Sequence, residues 1–205
     1  MSLLQSLLAI LTGGGQDGGA RKAPTGPAPA PPPPPAPSPA PSSNNPRIFE
    51  RRGDPLVALD DQLEADIRVS LVDCRSLVSL PSGLRTGSLD LSGCTAIEAL
   101  PAGLDVAFLD LAGCGALKAL PADLRLRGGR LNVRDCTKLS ALPAGMGSVA
   151  QLDLRGCTNI RALPDDLEVT SWIDIGGSGI DRLPARFAHL SIRRHGEAVA
   201  ASEIF

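Results

Sequence analysis

A run of Leu-Pro pairs returns through most of this chain at an almost fixed interval. The prolines are Pro81, Pro101, Pro121, Pro143, Pro164 and Pro184, so the intervals are 20, 20, 22, 21 and 20 residues. Cysteine keeps the same time. All 5 cysteines, Cys74, Cys94, Cys114, Cys136 and Cys157, occupy one position of the repeat. A period in the low twenties cannot build an ordinary globular core, because one such unit cannot bury its own apolar face. Stacked units can, so the period predicts a solenoid.

Within a unit, "LDLAGCGALKALPADL" from Leu109 shows how a coil would close. Leu109 and Leu111 flank Asp110 with the two-residue period of a strand, two inward and one outward. Cys114, Leu117 and Leu120 continue the core. Pro121 ends strand character and fixes an extended return, and Leu124 closes the coil. Stacking then lines the strands into a parallel sheet.

Composition agrees with a repeat core. Aromatics are 4 Phe, 1 Trp and no Tyr, so Leu, Ile and Val must fill the interior. The formal charge of −2 gives no strong pull toward nucleic acid or an anionic membrane. The odd cysteine count and the absence of a CxxC pair argue against disulfides and zinc, and for reduced buried thiols in a cytoplasmic setting.

The chain divides by composition. Residues 1–12 form a short apolar segment, read as a helix, too short to span a bilayer and lacking the marks of a secretory signal. Residues 13–46 are Gly- and Pro-rich, holding 12 of the 19 prolines, and read as a disordered linker with polyproline character. Residues 47–68 read as an N-terminal cap and half-repeat, with "LVALDDQL" standing for "LVSLPSGL". Residues 69–189 carry the repeats, about six full coils, and residues 190–205 a C-terminal cap. In that cap "LSIRRH" is read as the last strand and the tail as a closing helical turn.

The pattern of Leu, Leu and Cys resembles the leucine-rich repeat family, L-x-x-L-x-L-x-x-N/C-x-L. The Leu-Pro pairs resemble its short bacterial LPX subclass, found in effector proteins. The resemblance covers about residues 56–195. It implies an α/β-type repeat horseshoe with a parallel β-sheet on the concave face and extended or 3₁₀ return segments. It also implies a structural ladder in which Cys74, Cys94, Cys114, Cys136, Cys157 and Ser178 satisfy buried backbone groups inside the turn. One spacing departs from the subclass: the cysteine precedes the next apolar residue by three, as in Cys94 to Ile97, where the subclass uses two.

Effectors of this kind with ubiquitin-ligase activity carry a separate helical domain with a C-x-D nucleophile motif. None of the cysteines here has Asp two residues later. A buried thiol without cationic neighbours is also a poor nucleophile. No catalytic residue, metal site or cofactor is therefore read. His189 and His195 lack a catalytic constellation, and His195 is read as a ladder residue of the last strand.

Function is expected on the outward strand positions, which a solenoid gathers into one concave surface. The middle column reads Ser70, Asp90, Asp110, Asn132, Asp153, Asp174 and Ser191. The column before it reads Arg68, Ser88, Phe108, Arg130, Gln151, Trp172 and His189, and the column after includes Arg134, Arg155 and Arg193. Either the aspartates are solvated and partly neutralised by the arginines, or they form an acidic stripe that docks a charged partner. A divalent cation on this row lacks a supporting loop ligand set. The basic stretch "LRLRGGR" (residues 124–130) is read as a solvated bulge on the return side, because nucleic-acid binding would call for stacking aromatics beside it.

The sequence thus leads to a non-catalytic, monomeric protein-binding module. Its partner-binding candidates are Asp90, Phe108, Asp110, Arg130, Arg134, Asp153, Arg155, Trp172 and Asp174. Two other readings stand beside it. One is the substrate-recognition part of a ubiquitin-ligase-type effector, exported into a host cell and lacking its catalytic domain. The other is a structural spacer whose Pro-rich tail does the binding.

Overall fold

In the computed structural model, residues 48–59, 67–194 and 196–200 are described. Expectations for residues 1–46, for the second half of "LVALDDQL", for His195 and for the last five residues lie outside them. Nine strands form one sheet in strict chain order: β1 (Ile48–Arg52), β2 (Arg68–Val72), β3 (Arg85–Asp90), β4 (Asp105–Asp110), β5 (Arg125–Asn132), β6 (Ser148–Asp153), β7 (Glu168–Asp174), β8 (Ser191–Arg194) and β9 (Glu197–Ala198). β1 to β8 pair in parallel, each with the next. The architecture is a parallel-strand β-solenoid of about seven turns. A single 3₁₀ turn, Ala185–Phe187, is the only helix among the described residues.

The local causes repeat from coil to coil. After the alternating strand, an Asp or Asn side chain accepts the amide of the residue two ahead and bends the chain out of the sheet: Asp90 to Ser92, Asp110 to Ala112, Asn132 to Arg134, Asp153 to Arg155 and Asp174 to Gly176, all at 3.0–3.2 Å. The residue before each cysteine then takes a positive φ. Glycine serves at Gly93, Gly113 and Gly156, and Asp at Asp73 and Asp135. A stack of Leu, Ile, Val and Cys side chains fills the interior, with Leu71, Leu91, Leu111, Leu131 and Leu154 wholly buried.

Four of the cysteines make one interaction each across coils. Cys94 donates its thiol to the Leu71 carbonyl at 2.9 Å, Cys114 to Leu91 at 3.1 Å, Cys136 to Leu111 at 3.1 Å and Cys157 to Val133 at 2.9 Å. Among the described residues Cys74 reaches only Val72, in its own coil, at 3.9 Å. Ser178 holds the same place, but its shorter hydroxyl bonds back to Ile175 at 2.8 Å. The step between coils is made there by the Gly179 amide donating to Cys157 O.

β1 continues the ladder in register, and Ala58 bridges Ser79, so the described part of residues 47–68 stacks on the first repeat. Three expectations are corrected. Residues 125–130 lie in β5 of the sheet, not on the return side. Chain reversal near the end is antiparallel: β9 pairs with β8 where a helical turn was expected. The final strand is also displaced by two residues. Ile192, not Leu190, pairs with Ile173, so Arg193 follows Asp174 in the middle row and Ser191 follows Trp172. Ile192 is buried and Leu190 only partly so, which decides between two apolar residues of equal promise.

Candidate functional site

Register places the expected residues in two rows on the outer face of the sheet. The first runs Arg68, Ser88, Phe108, Arg130, Gln151, Trp172, Ser191, and the second Ser70, Asp90, Asp110, Asn132, Asp153, Asp174, Arg193. Arg134 and Arg155 emerge just beyond β5 and β6.

The acidic row does not behave as one exposed stripe. Asp90 and Asp110 are half-buried, whereas Asp153 is 0% and Asp174 2% exposed. Asp153 accepts a forked pair of hydrogen bonds from the Arg155 guanidinium as well as the Arg155 amide. That pairing holds Arg155 still more firmly in its charged form. Asp174 accepts the amides of Gly176 and Gly196, and Arg155 Nε lies 3.7 Å from it. Asn132 donates to Asp110 Oδ2 at 2.9 Å, so a neutral amide separates the two carboxylate pairs. Arg134 turns aside to Asp135 at 3.2 Å.

The other row is where the face stays open. Phe108 is 55% exposed. It lines a shallow depression with Arg68, Ser88, Asp90, Asp110 and Arg130. Trp172 has the guanidinium carbons of Arg193 and Arg130 at 5.0 and 5.9 Å from its ring, within cation–π range. Sequence reasoning placed Arg193 one row away and passed over Arg127. Arg127 crosses β4 to donate to Thr86 O at 2.7 Å and pairs with Asp105 at 3.0 Å. Its signal was the strand alternation of "RLRGGRLN".

Four of the thiols are held in the protonated form. Burial pushes Cys94 up to about 11 and Cys114 and Cys157 up to about 12, with Cys136 raised further. All five are free. Among the described residues no group of three or more His, Cys, Asp or Glu is placed to hold a metal ion, and no helix is long and apolar enough to cross a membrane.

No protein-family model, curated protein or solved structure matches this chain. Class therefore rests on the fold itself, a repeat β-solenoid whose sheet carries an open, aromatic- and arginine-bearing row.

Proposed function

We propose that this chain is a non-catalytic, protein-binding module of the leucine-rich repeat type, recognising a protein partner through its concave face. Support for the repeat type comes from the Leu-x-Leu strands, the buried thiol after each turn and the Leu-Pro return. The observation that carries the function is Phe108, a large aromatic left 55% exposed between Ser88 and Arg130 on a sheet whose inner face is fully packed. Exposed aromatics and arginines are the usual anchors of protein interfaces. Five free thiols support a reducing compartment, the cytoplasm of its own cell or of a host.

The test is affinity capture from lysate with the intact chain beside a Phe108→Ala, Trp172→Ala variant shown to fold by circular dichroism. Arg155 is unsuitable for this purpose, because removing it would leave buried Asp153 unpaired. Partners captured by the intact chain and lost by the variant support the proposal. Partners retained equally by both would move recognition off this face.

A further inference from the structure

The repeat is interrupted twice within the sheet, and each interruption stands just before a residue of the open row. Val106 pairs with Leu126 but Phe108 pairs with Arg130, so β5 carries two extra residues against β4. Val149 pairs with Val169 but Gln151 pairs with Trp172, so β7 carries one extra against β6. Bulges re-aim the side chains beside them. The two bulged strands flank β6, and the side chains they re-aim, Arg130 and Trp172, meet across it. Arg193 closes on the same ring from β8.

Charge on this part of the face is unbalanced. The carboxylates of Asp153 and Asp174 are spent on backbone amides and on Arg155. Arg130 comes no nearer than 3.9 Å to Asp153, and Arg193 has no acidic partner among the described residues. Two guanidinium groups are thus held against an indole with donors to spare, an arrangement suited to a carboxylate. Toward β3 and β4 the sign reverses, since neither Asp90 nor Asp110 has a cationic partner among the described residues. Phe108 stands at this boundary.

We propose that the surface from β4 to β8 binds an extended acidic peptide segment of a partner protein. Its carboxylate sits between Arg130 and Arg193 at Trp172, and an apolar side chain rests on Phe108. β4 lies two to three strands from β6 and β7, about 10–14 Å at ~4.8 Å per strand, which sets the acidic and apolar residues about three or four apart in an extended chain. Asp90 and Asp110 fix the direction by repelling the acidic end. This inference rests on the concave-face reading and adds the chemistry of the partner.

The experiment is selection of displayed random nine-residue peptides on the intact protein, followed by titration of the synthetic consensus. Binding is read by isothermal titration calorimetry, with the fluorescence of Trp172, the chain's 1 tryptophan, as a second signal in every protein that retains it. The expected consensus pairs Glu or Asp with an apolar residue at that spacing. Arg193→Gln and Arg130→Gln, each verified as folded, are expected to weaken binding about tenfold, the loss of a charge-assisted hydrogen bond. A basic consensus, no enrichment, or acidic binding indifferent to both variants would overturn the inference. So would a phosphoserine analogue binding more than about tenfold tighter than the carboxylate peptide. If selected peptides lack acid preference yet are lost on Phe108→Ala, the inference fails and the concave-face reading survives. If they bind Phe108→Ala and Trp172→Ala as well as the parent, that reading fails too.

Discussion

The side-chain amide of Asn132 donates to Asp110 Oδ2 at 2.9 Å, one strand away in the parallel sheet. It is the neutral break in a run of aspartates, Asp90 and Asp110 on one side and Asp153 and Asp174 on the other. Like charges on neighbouring strands repel, and burial enlarges the effect. Asn132 is 6% exposed. Replacing Asn132→Asp is therefore expected to cost about 1–2 kcal/mol at pH 7. A carboxyl buried there would have a raised pKa, so its penalty is present at neutral pH and shrinks as pH falls. A penalty of that size puts the folded pKa about one unit above the ordinary Asp value, so urea midpoints of variant and parent should draw together as pH falls from about 6 to about 4. A gap that stays constant with pH would mean the row is not electrostatically coupled.

The thiol ladder predicts weakness toward alkali. Burial raises Cys94, Cys114, Cys136 and Cys157 above an unfolded value near 9. A thiol raised on folding holds its proton in the native state while the unfolded chain releases it. Its contribution is complete below pH 9 and is lost as pH rises from 9 toward 12. One unit above the unfolded pKa, that is about 1.4 kcal/mol for each thiol. Urea midpoints should fall steeply between pH 8.5 and pH 10, and Cys114→Ala should flatten the fall. Equal slopes in parent and variant would remove the thiols as the cause. A thiol-specific dye added at pH 8 should label the chain only on unfolding.

Cys114→Ser tests the same ladder without titration. Ser178 shows what a hydroxyl does at this position: it bonds within its own coil, to Ile175 at 2.8 Å. The Leu91 carbonyl that Cys114 serves still accepts the Cys94 amide at 3.0 Å. The loss should be about 1 kcal/mol, a net hydrogen bond, with partner binding unchanged. Loss of partner capture by a folded Cys114→Ser protein would assign the thiol more than a structural part.

The stacking was legible because every element of a coil recurs at the same phase, and repetition turns weak local signals into a strong one. Where the repeat marks fail, so does the reading. β1 lacks both Leu-Pro and cysteine, and "IFERR" alone does not advertise a strand. Leu190 and Ile192 compete for one inward place, and only packing shows that Ile192 fills it. Alternation said that Asp153 points away from the core. It could not show that Arg155 folds over it and leaves it 0% exposed. The Gly-Cys dipeptides at Gly93, Gly113 and Gly156 did carry a signal for positive φ, obscured by Asp73 and Asp135 in the same place. Phe108 and Trp172 were found from phase alone. Arg130 was found in the same row, whereas Arg193 reaches Trp172 through the two-residue displacement of β8, which a fixed period cannot express.

The bulge in β5 gives the sharpest test of how the open face is built. At Gly129 a Cβ would lie 1.9 Å from the Ala107 carbonyl oxygen and 2.6 Å from its carbon, backbone atoms that cannot step aside. Gly128 beside it has φ +74°, and its Cβ would meet nothing closer than Ser148 Oγ at 3.9 Å. Gly128→Ala should cost only the left-handed backbone penalty, about 1–2 kcal/mol. Gly129→Ala should cost about 2–3 kcal/mol through overpacking. It must also push β5 away from β4, carrying Arg130 off Trp172, so its tryptophan emission should shift while that of Gly128→Ala stays with the parent. Urea denaturation and emission spectra of the two variants check both statements. A Gly129→Ala protein with parental stability and emission would show that β5 can abandon the bulge freely. Arg130 would then owe its place beside Trp172 to something other than the inserted glycines.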